Sequence, residues 1–140
     1  MESVAARDSL MAIPGFVKNH KLATALTLVI VVPVLAFTVY TWTALHYVYS
    51  SGERAGFLQK ISKKGWICKT WEGEIQLAAI PGSMPEKFEF TVRSDSIAEV
   101  LNRLNGERVV VTYEQHKGIP TSCFGDTEYF VTQARAVGAQ

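Results

Sequence analysis

Hydrophobic and polar positions fall into two regimes along this chain. From Leu22 to Gly52 there is no Asp, Glu, Lys or Arg, and the stretch LATALTLVIVVPVLAFTVYTWTALHYVY is apolar on every helical face. A hydrocarbon core about 30 Å thick needs about 20 apolar residues at a 1.5 Å rise. Residues 22–49 therefore predict one N-terminal transmembrane α-helix, long enough to span with some tilt. Lys18 and Lys21 are placed to snorkel at one end, and Trp42, Tyr47 and Tyr49 supply aromatic anchors at the other. Pro33 is tolerated in mid-span where neighbouring groups satisfy the carbonyl it frees. A cleaved signal peptide would show an apolar core of about 7–15 residues and then a small-residue cleavage site. Here the run continues through Val34, Leu35, Phe37, Val39 and Trp42, and bulky His46, Tyr47 and Tyr49 follow. A helix buried in a soluble core is disfavoured too, because the roughly 90 remaining residues could not wrap one that is apolar all round.

After this segment the pattern shortens. Residues 1–21 read as an N-terminal tail, 50–54 as a linker on the strength of Ser50, Ser51 and Gly52, and 55–137 as one domain. Residues 55–62 (AGFLQKIS) have strand character, and Lys63, Lys64 and Gly65 read as a turn. Residues 66–79 (WICKTWEGEIQLAA) predict a long strand in which Gly73 marks a bulge or bend, ended by Pro81 and Gly82. In 87–93 (KFEFTVR), Phe88, Phe90 and Val92 alternate with polar residues, the period of a half-buried strand. Ser96 and Glu99 have capping-box spacing. Ile97, Val100, Leu101 and Leu104 then form one apolar helical stripe, which Gly106 closes. Residues 107–114 (ERVVVTYE) and 127–137 (TEYFVTQARAV) predict two further strands around a loop at 116–126. Five strands with a short helix between strands 3 and 4 is the order of the OB-fold. The expected architecture is one transmembrane helix followed by a small, mostly-β, OB-like five-stranded barrel, with an SH3-like barrel or an open α+β sheet as the alternative.

Composition narrows the function classes. The 140 residues suit one small domain and hold 14 Lys+Arg against 13 Asp+Glu, which excludes a disordered chain and a strongly basic nucleic-acid arm. Lys60, Lys63, Lys64 and Lys69, interleaved with Phe57, Trp66 and Trp71, resemble a basic surface with stacking rings. Yet residues 52–140 hold eleven basic and eleven acidic side chains, and phosphate neutralisation calls for a basic domain or stripe. Nucleic acid is thus disfavoured as a partner, and anionic lipid headgroups are a further use for the lysines. Cys68 and Cys123 are 55 positions apart with no CxxC, which leaves two packed thiols or one disulfide in an oxidising compartment. With His116 they lack the close pairs of a zinc site, so no metal or other cofactor is expected. No GxSxG, HExxH or GxxxxGK[ST] motif is present. Ser122 near His116 lacks a demonstrated orienting base.

The strings SGERAG (51–56), SKKGW (62–66), KTWEGE (69–74) and GDTEYFV (125–131) resemble a family of small, uncharacterised bacterial single-pass membrane proteins with a β-rich domain. Members are sometimes labelled 6-phosphogluconate dehydrogenase. That activity is rejected for this chain, which has no GxGxxG fingerprint after a strand and no room for a Rossmann domain. The resemblance implies a bacterial inner-membrane protein and carries over no catalytic residue. The positive flanks do not decide orientation, since Arg7, Lys18 and Lys21 face Arg54, Lys60, Lys63 and Lys64. A 21-residue tail before a signal anchor fits N-in, C-out, with the domain in the periplasm. The resulting expectation is a membrane-anchored, non-catalytic binding module for a protein or envelope component. Lys63, Lys64, Trp66, Lys69, Trp71 and His116 are its surface candidates. A cytoplasmic nucleic-acid-binding domain and a small membrane-bound enzyme are the alternatives.

Overall fold

The computed structural model describes residues 21–78 and 81–138. The sequence-predicted anchor Lys18, most of the 1–21 tail and Ala79 lie outside them. The charge-free stretch forms helix α1 (Lys21–His46), about 39 Å long at 1.5 Å per residue. None of its residues is buried, and it is the one described helix long and apolar enough to cross a membrane. Two of its hydroxyls are satisfied along the helix, Thr27 donating to Ala23 O and Thr38 to Val34 O, each at 2.8 Å. The expected end at residue 49 is three residues late. Tyr49 N instead donates to Gln115 O, and the Lys117 ammonium lies 3.8 Å from the centre of the Tyr49 ring.

The strands are β1 (Ser50–Lys64), β2 (Thr70–Leu77), β3 (Lys87–Val92), β4 (Arg108–Gln115) and β5 (Tyr129–Ala136), with helix α2 (Asp95–Arg103) between β3 and β4. They close in the order β1-β2-β3-β5-β4, which is that of an OB barrel. The seams are uneven. β1 is long enough to serve two neighbours, pairing β4 through Ser50–Phe57 and β2 through Gly56–Lys64, with a register shift between Leu58 and Lys60. The parallel β3–β5 seam has two residue pairs, Thr91 with Phe130 and Val92 with Val131.

Several local expectations are corrected. The 50–54 linker is the first third of β1, paired with Val111–Gln115, because a polar, Gly-containing segment can still fill a ladder when a partner edge is free. Residues 66–69 form the β1–β2 loop rather than the start of β2, and Thr127 and Glu128 belong to the β4–β5 loop. Helix α2 starts at Asp95 with Ser94 as N-cap, ahead of the expected Ser96 box. Ser94 makes no capping hydrogen bond through its side chain; its hydroxyl lies 2.7 Å from that of Ser96. The apolar stripe shifts accordingly. Ala98 and Leu101 are buried, whereas Val100 is 40% exposed.

Inward positions build one core from Leu58, Ile75, Phe88, Phe90, Val92, Val109, Val111 and Val131, closed by Ala98 and Leu101 of α2. Gly73 pairs across the sheet with Phe90, whose ring occupies the space that a side chain at 73 would need. The small residue at this point lets a phenylalanine fill the barrel interior. Gly73→Ala is expected to lower stability by about 1–3 kcal/mol, as over-packing does. Urea or thermal unfolding of the full chain in detergent checks this. The double variant Gly73→Ala/Phe90→Leu should lose less than the sum of the two single changes.

Candidate interaction surface

Strand alternation sends Trp71, Ile75, Phe88, Phe90 and Val92 inward. The outer face of β1–β2–β3 is left to Lys60, Ser62 and Lys64, then Glu72 and Glu74, then Lys87, Glu89 and Thr91. In an OB-fold the face of strands 2 and 3, bordered by the β1–β2 and β4–β5 loops, is where oligonucleotides and oligosaccharides bind. Here it carries no aromatic side chain. A small cleft of about 150 Å³ lies on it, lined by Lys60, Ser62, Lys64, Glu72, Glu74, Glu89, Asp126 and Thr127 among others. Four carboxylates thus face two lysines in the cleft. A third lysine, Lys87, is taken up by Glu74 at 2.7 Å.

The β4–β5 loop folds onto this face and is held there by hydrogen bonds. Glu72, an outward residue, is 6% exposed. Its Oε1 accepts from Thr70 Oγ1 at 2.7 Å and from the Asp126 amide at 3.2 Å; its Oε2 accepts from Thr91 Oγ1 at 2.8 Å. The Thr127 amide donates to Thr91 Oγ1 at 3.3 Å, and the Thr127 hydroxyl to Tyr129 O at 3.1 Å. Two of the sequence strings, residues 69–74 and 125–130, therefore meet in one polar network. Sequence reading singled out both strings and missed their contact. The one available signal was an acidic residue on β2 near two threonines.

A disulfide joins the two bordering loops, Cys68 in the β1–β2 loop to Cys123 in the β4–β5 loop. Of the two cysteine alternatives, packed thiols or one disulfide, the structure carries the bonded form. The surface candidates divide around it. Trp66 and Ile67, at the tip of the β1–β2 loop, are 99% and 89% exposed, and Lys64 and Lys69 are exposed beside them. Trp71 is half-buried against the core and donates its indole N–H to Asp95 Oδ1 at 2.7 Å. Lys63 sits 5.3 Å from the centre of that ring and 3.7 Å from Asp95, so both side chains help dock α2 to the sheet. His116 is not a surface residue. It is buried, with its ring 5.1 Å from that of Phe130 and Nε2 3.5 Å from Glu114, because its amide joins the sheet end by donating to Glu128 O. Among the described residues no group of three His, Cys, Asp or Glu side chains could hold a metal ion.

No protein-family model and no curated protein matches the sequence. Among solved structures, a crystal structure of a mitochondrial single-stranded DNA-binding protein from S. cerevisiae is similar, with a TM-score of 0.50 and 9% identity. The match covers 65% of this chain and 96% of that one. At that identity the likeness shows the shared OB-fold.

The hydrogen bond from Trp71 holds the Asp95 carboxyl below its ordinary value, and the Lys63 charge adds to the effect. A lowered folded-state value means that ionised Asp95 supports the fold fully above the ordinary carboxylate range of about pH 4. That support is lost as pH falls through the lowered value. Asp95→Asn should therefore flatten the acid limb of a stability-versus-pH curve below about pH 4, and leave the neutral plateau free of pH dependence. Urea midpoints collected at a series of pH values measure both.

Proposed function

We propose that this chain is a single-pass membrane protein of the bacterial envelope whose OB domain is a non-catalytic interaction module on the oxidising side of the membrane. The observation that carries the reading is the Cys68–Cys123 bond. Disulfides persist in secreted and periplasmic compartments and are rare in a reducing cytosol. A domain stapled this way fits an N-in, C-out arrangement across the inner membrane. Helix α1 supports anchoring, since its 26 residues exceed the apolar core of a cleaved signal peptide. The sequence resemblance to bacterial single-pass proteins points the same way.

The non-catalytic reading is supported by how the cleft uses its polar groups. Its most buried carboxylate, Glu72, is engaged with Thr70 and Thr91, and Thr91 with Thr127, while the buried Ser62 hydroxyl in the same lining has no partner. The nucleic-acid alternative draws on the OB-fold and on the solved DNA-binding neighbour. Against it, the strand 2–3 face offers no ring for base stacking and more carboxylates than free lysines. The chain's own β4–β5 loop also covers part of that face. The module's free surface is the disulfide-held β1–β2 loop.

Paired C-terminal reporter fusions, one active only in the periplasm and one only in the cytoplasm, test the placement in bacterial cells. The periplasmic reporter should be active, with the protein in the membrane pellet. Cys68 and Cys123 should resist a thiol label until reductant is added. Activity of the cytoplasmic reporter, or full labelling of both cysteines without reductant, would contradict the proposal. Retention of single-stranded oligonucleotide by the purified chain at low salt would favour the nucleic-acid alternative instead.

A further inference from the structure

The tip of the β1–β2 loop breaks the pattern of the rest of the barrel. Elsewhere the large rings of β2, β3 and β5 turn inward or pack on the core. At the tip, Trp66 and Ile67 stand almost wholly in solvent. Among the described residues of the barrel, no other two sequence neighbours expose large apolar side chains together. Their exposure is built in. Gly65 has φ +131°, and a methyl group at its Cα would overlap the Cys68 carbonyl oxygen, so the turn is too tight for a side chain there. The disulfide at Cys68 then ties the loop to residue 123. The backbone is thereby restrained on both sides of Trp66 and Ile67.

Along the chain, the charge flanking the tip has one sign; in space, Lys64 also lines the cleft that holds Glu72, Glu74, Glu89 and Asp126. Between Glu53 and Glu72 the sequence holds Arg54, Lys60, Lys63, Lys64 and Lys69 and no acidic residue. Lys63 is held by Asp95. Lys64 and Lys69 form no ion pair among the described residues. Tryptophan favours the boundary between headgroups and acyl chains, and lysines near an anionic bilayer surface are attracted to it.

We infer that the β1–β2 loop is a lipid-docking tip, in which Trp66 and Ile67 enter the bilayer interface while Lys64 and Lys69 meet anionic headgroups. The inference deepens the anchored-module reading and rests on it. One short apolar tip is too small for stable membrane attachment by itself, which takes two signals. A helix in the same chain supplies the first, and the tip, which follows the 15-residue β1, supplies the second. The exposed Trp66 and Ile67 with lysines beside them match the chemistry of an anionic bilayer surface as the loop's occupant.

The test uses the full chain in nanodiscs of phosphatidylcholine, with or without phosphatidylglycerol, carrying brominated acyl chains as quenchers. Trp42→Phe removes the helix signal, and comparison with Trp42→Phe/Trp66→Phe isolates the emission of Trp66 from that of Trp71. Trp66 emission should be blue-shifted and quenched in the anionic discs. Lys64→Gln and Lys69→Gln should each lower the ratio of docked to undocked tip about fivefold. Trp66 emission that stays water-like and unquenched in both lipids, with the chain co-eluting with the discs, would overturn the docking inference alone and leave the tip to a protein partner. A chain that does not co-elute with the discs would overturn the anchored reading and the inference together.

Discussion

A carboxylate taken out of water must have its lone pairs filled, or the burial costs several kcal/mol. Glu72 is in that position on what is nominally the outside of the barrel. Two of its partners, Thr70 and Thr91, come from the sheet, and the third is the amide of Asp126. The sheet face and the β4–β5 loop thus complete each other. With the loop lifted, Glu72 would regain water but leave the threonine network unmade. With Glu72 absent, the Asp126 amide and two hydroxyls would lose their acceptor. The disulfide fixes the same loop from its other side, by tying residue 123 to the β1–β2 turn.

Function follows from what that arrangement leaves free. An OB barrel is a scaffold, and sites are written on it by particular residues. On this one, the face where other OB domains hold a strand of nucleic acid or sugar is charge-mixed, ring-free and partly roofed by its own chain. The apolar material that would make a stacking platform has been directed inward as core, Phe90 filling the space Gly73 vacates. Outward apolar character is concentrated at the β1–β2 turn, with lysines around it. The fold is shared with a DNA-binding neighbour.

The element order and the apolar helix were legible in the sequence because both rest on local periodicity. Phe88, Phe90 and Val92 alternate, and a 31-residue charge-free window admits few interpretations. What escaped depended on distant partners. Ser50–Arg54 look like a linker until β4 offers an edge. Asp95, through its bonds to Trp71 and Lys63, sits where Ser96 was expected to open the helix. Period-two alternation says that Glu72 points outward and says nothing of a loop 54 positions later that covers it. His116 looked exposed because loops are usually wet, yet its loop begins inside the sheet end. Lys64, Trp66 and Lys69 remained at the surface because nothing distant reaches them.

Amide hydrogen exchange at Asp126 and Thr127 tests the locked-loop account most directly. Both amides donate into the Glu72–Thr91 network, so in the oxidised full chain they should exchange as slowly as the flanking β5 amides. Glu72→Ala should release them towards the rates of an open loop. Fast exchange at both positions in the unaltered protein would mean that the β4–β5 loop does not hold the strand 2–3 face closed, and the face would again be a binding site.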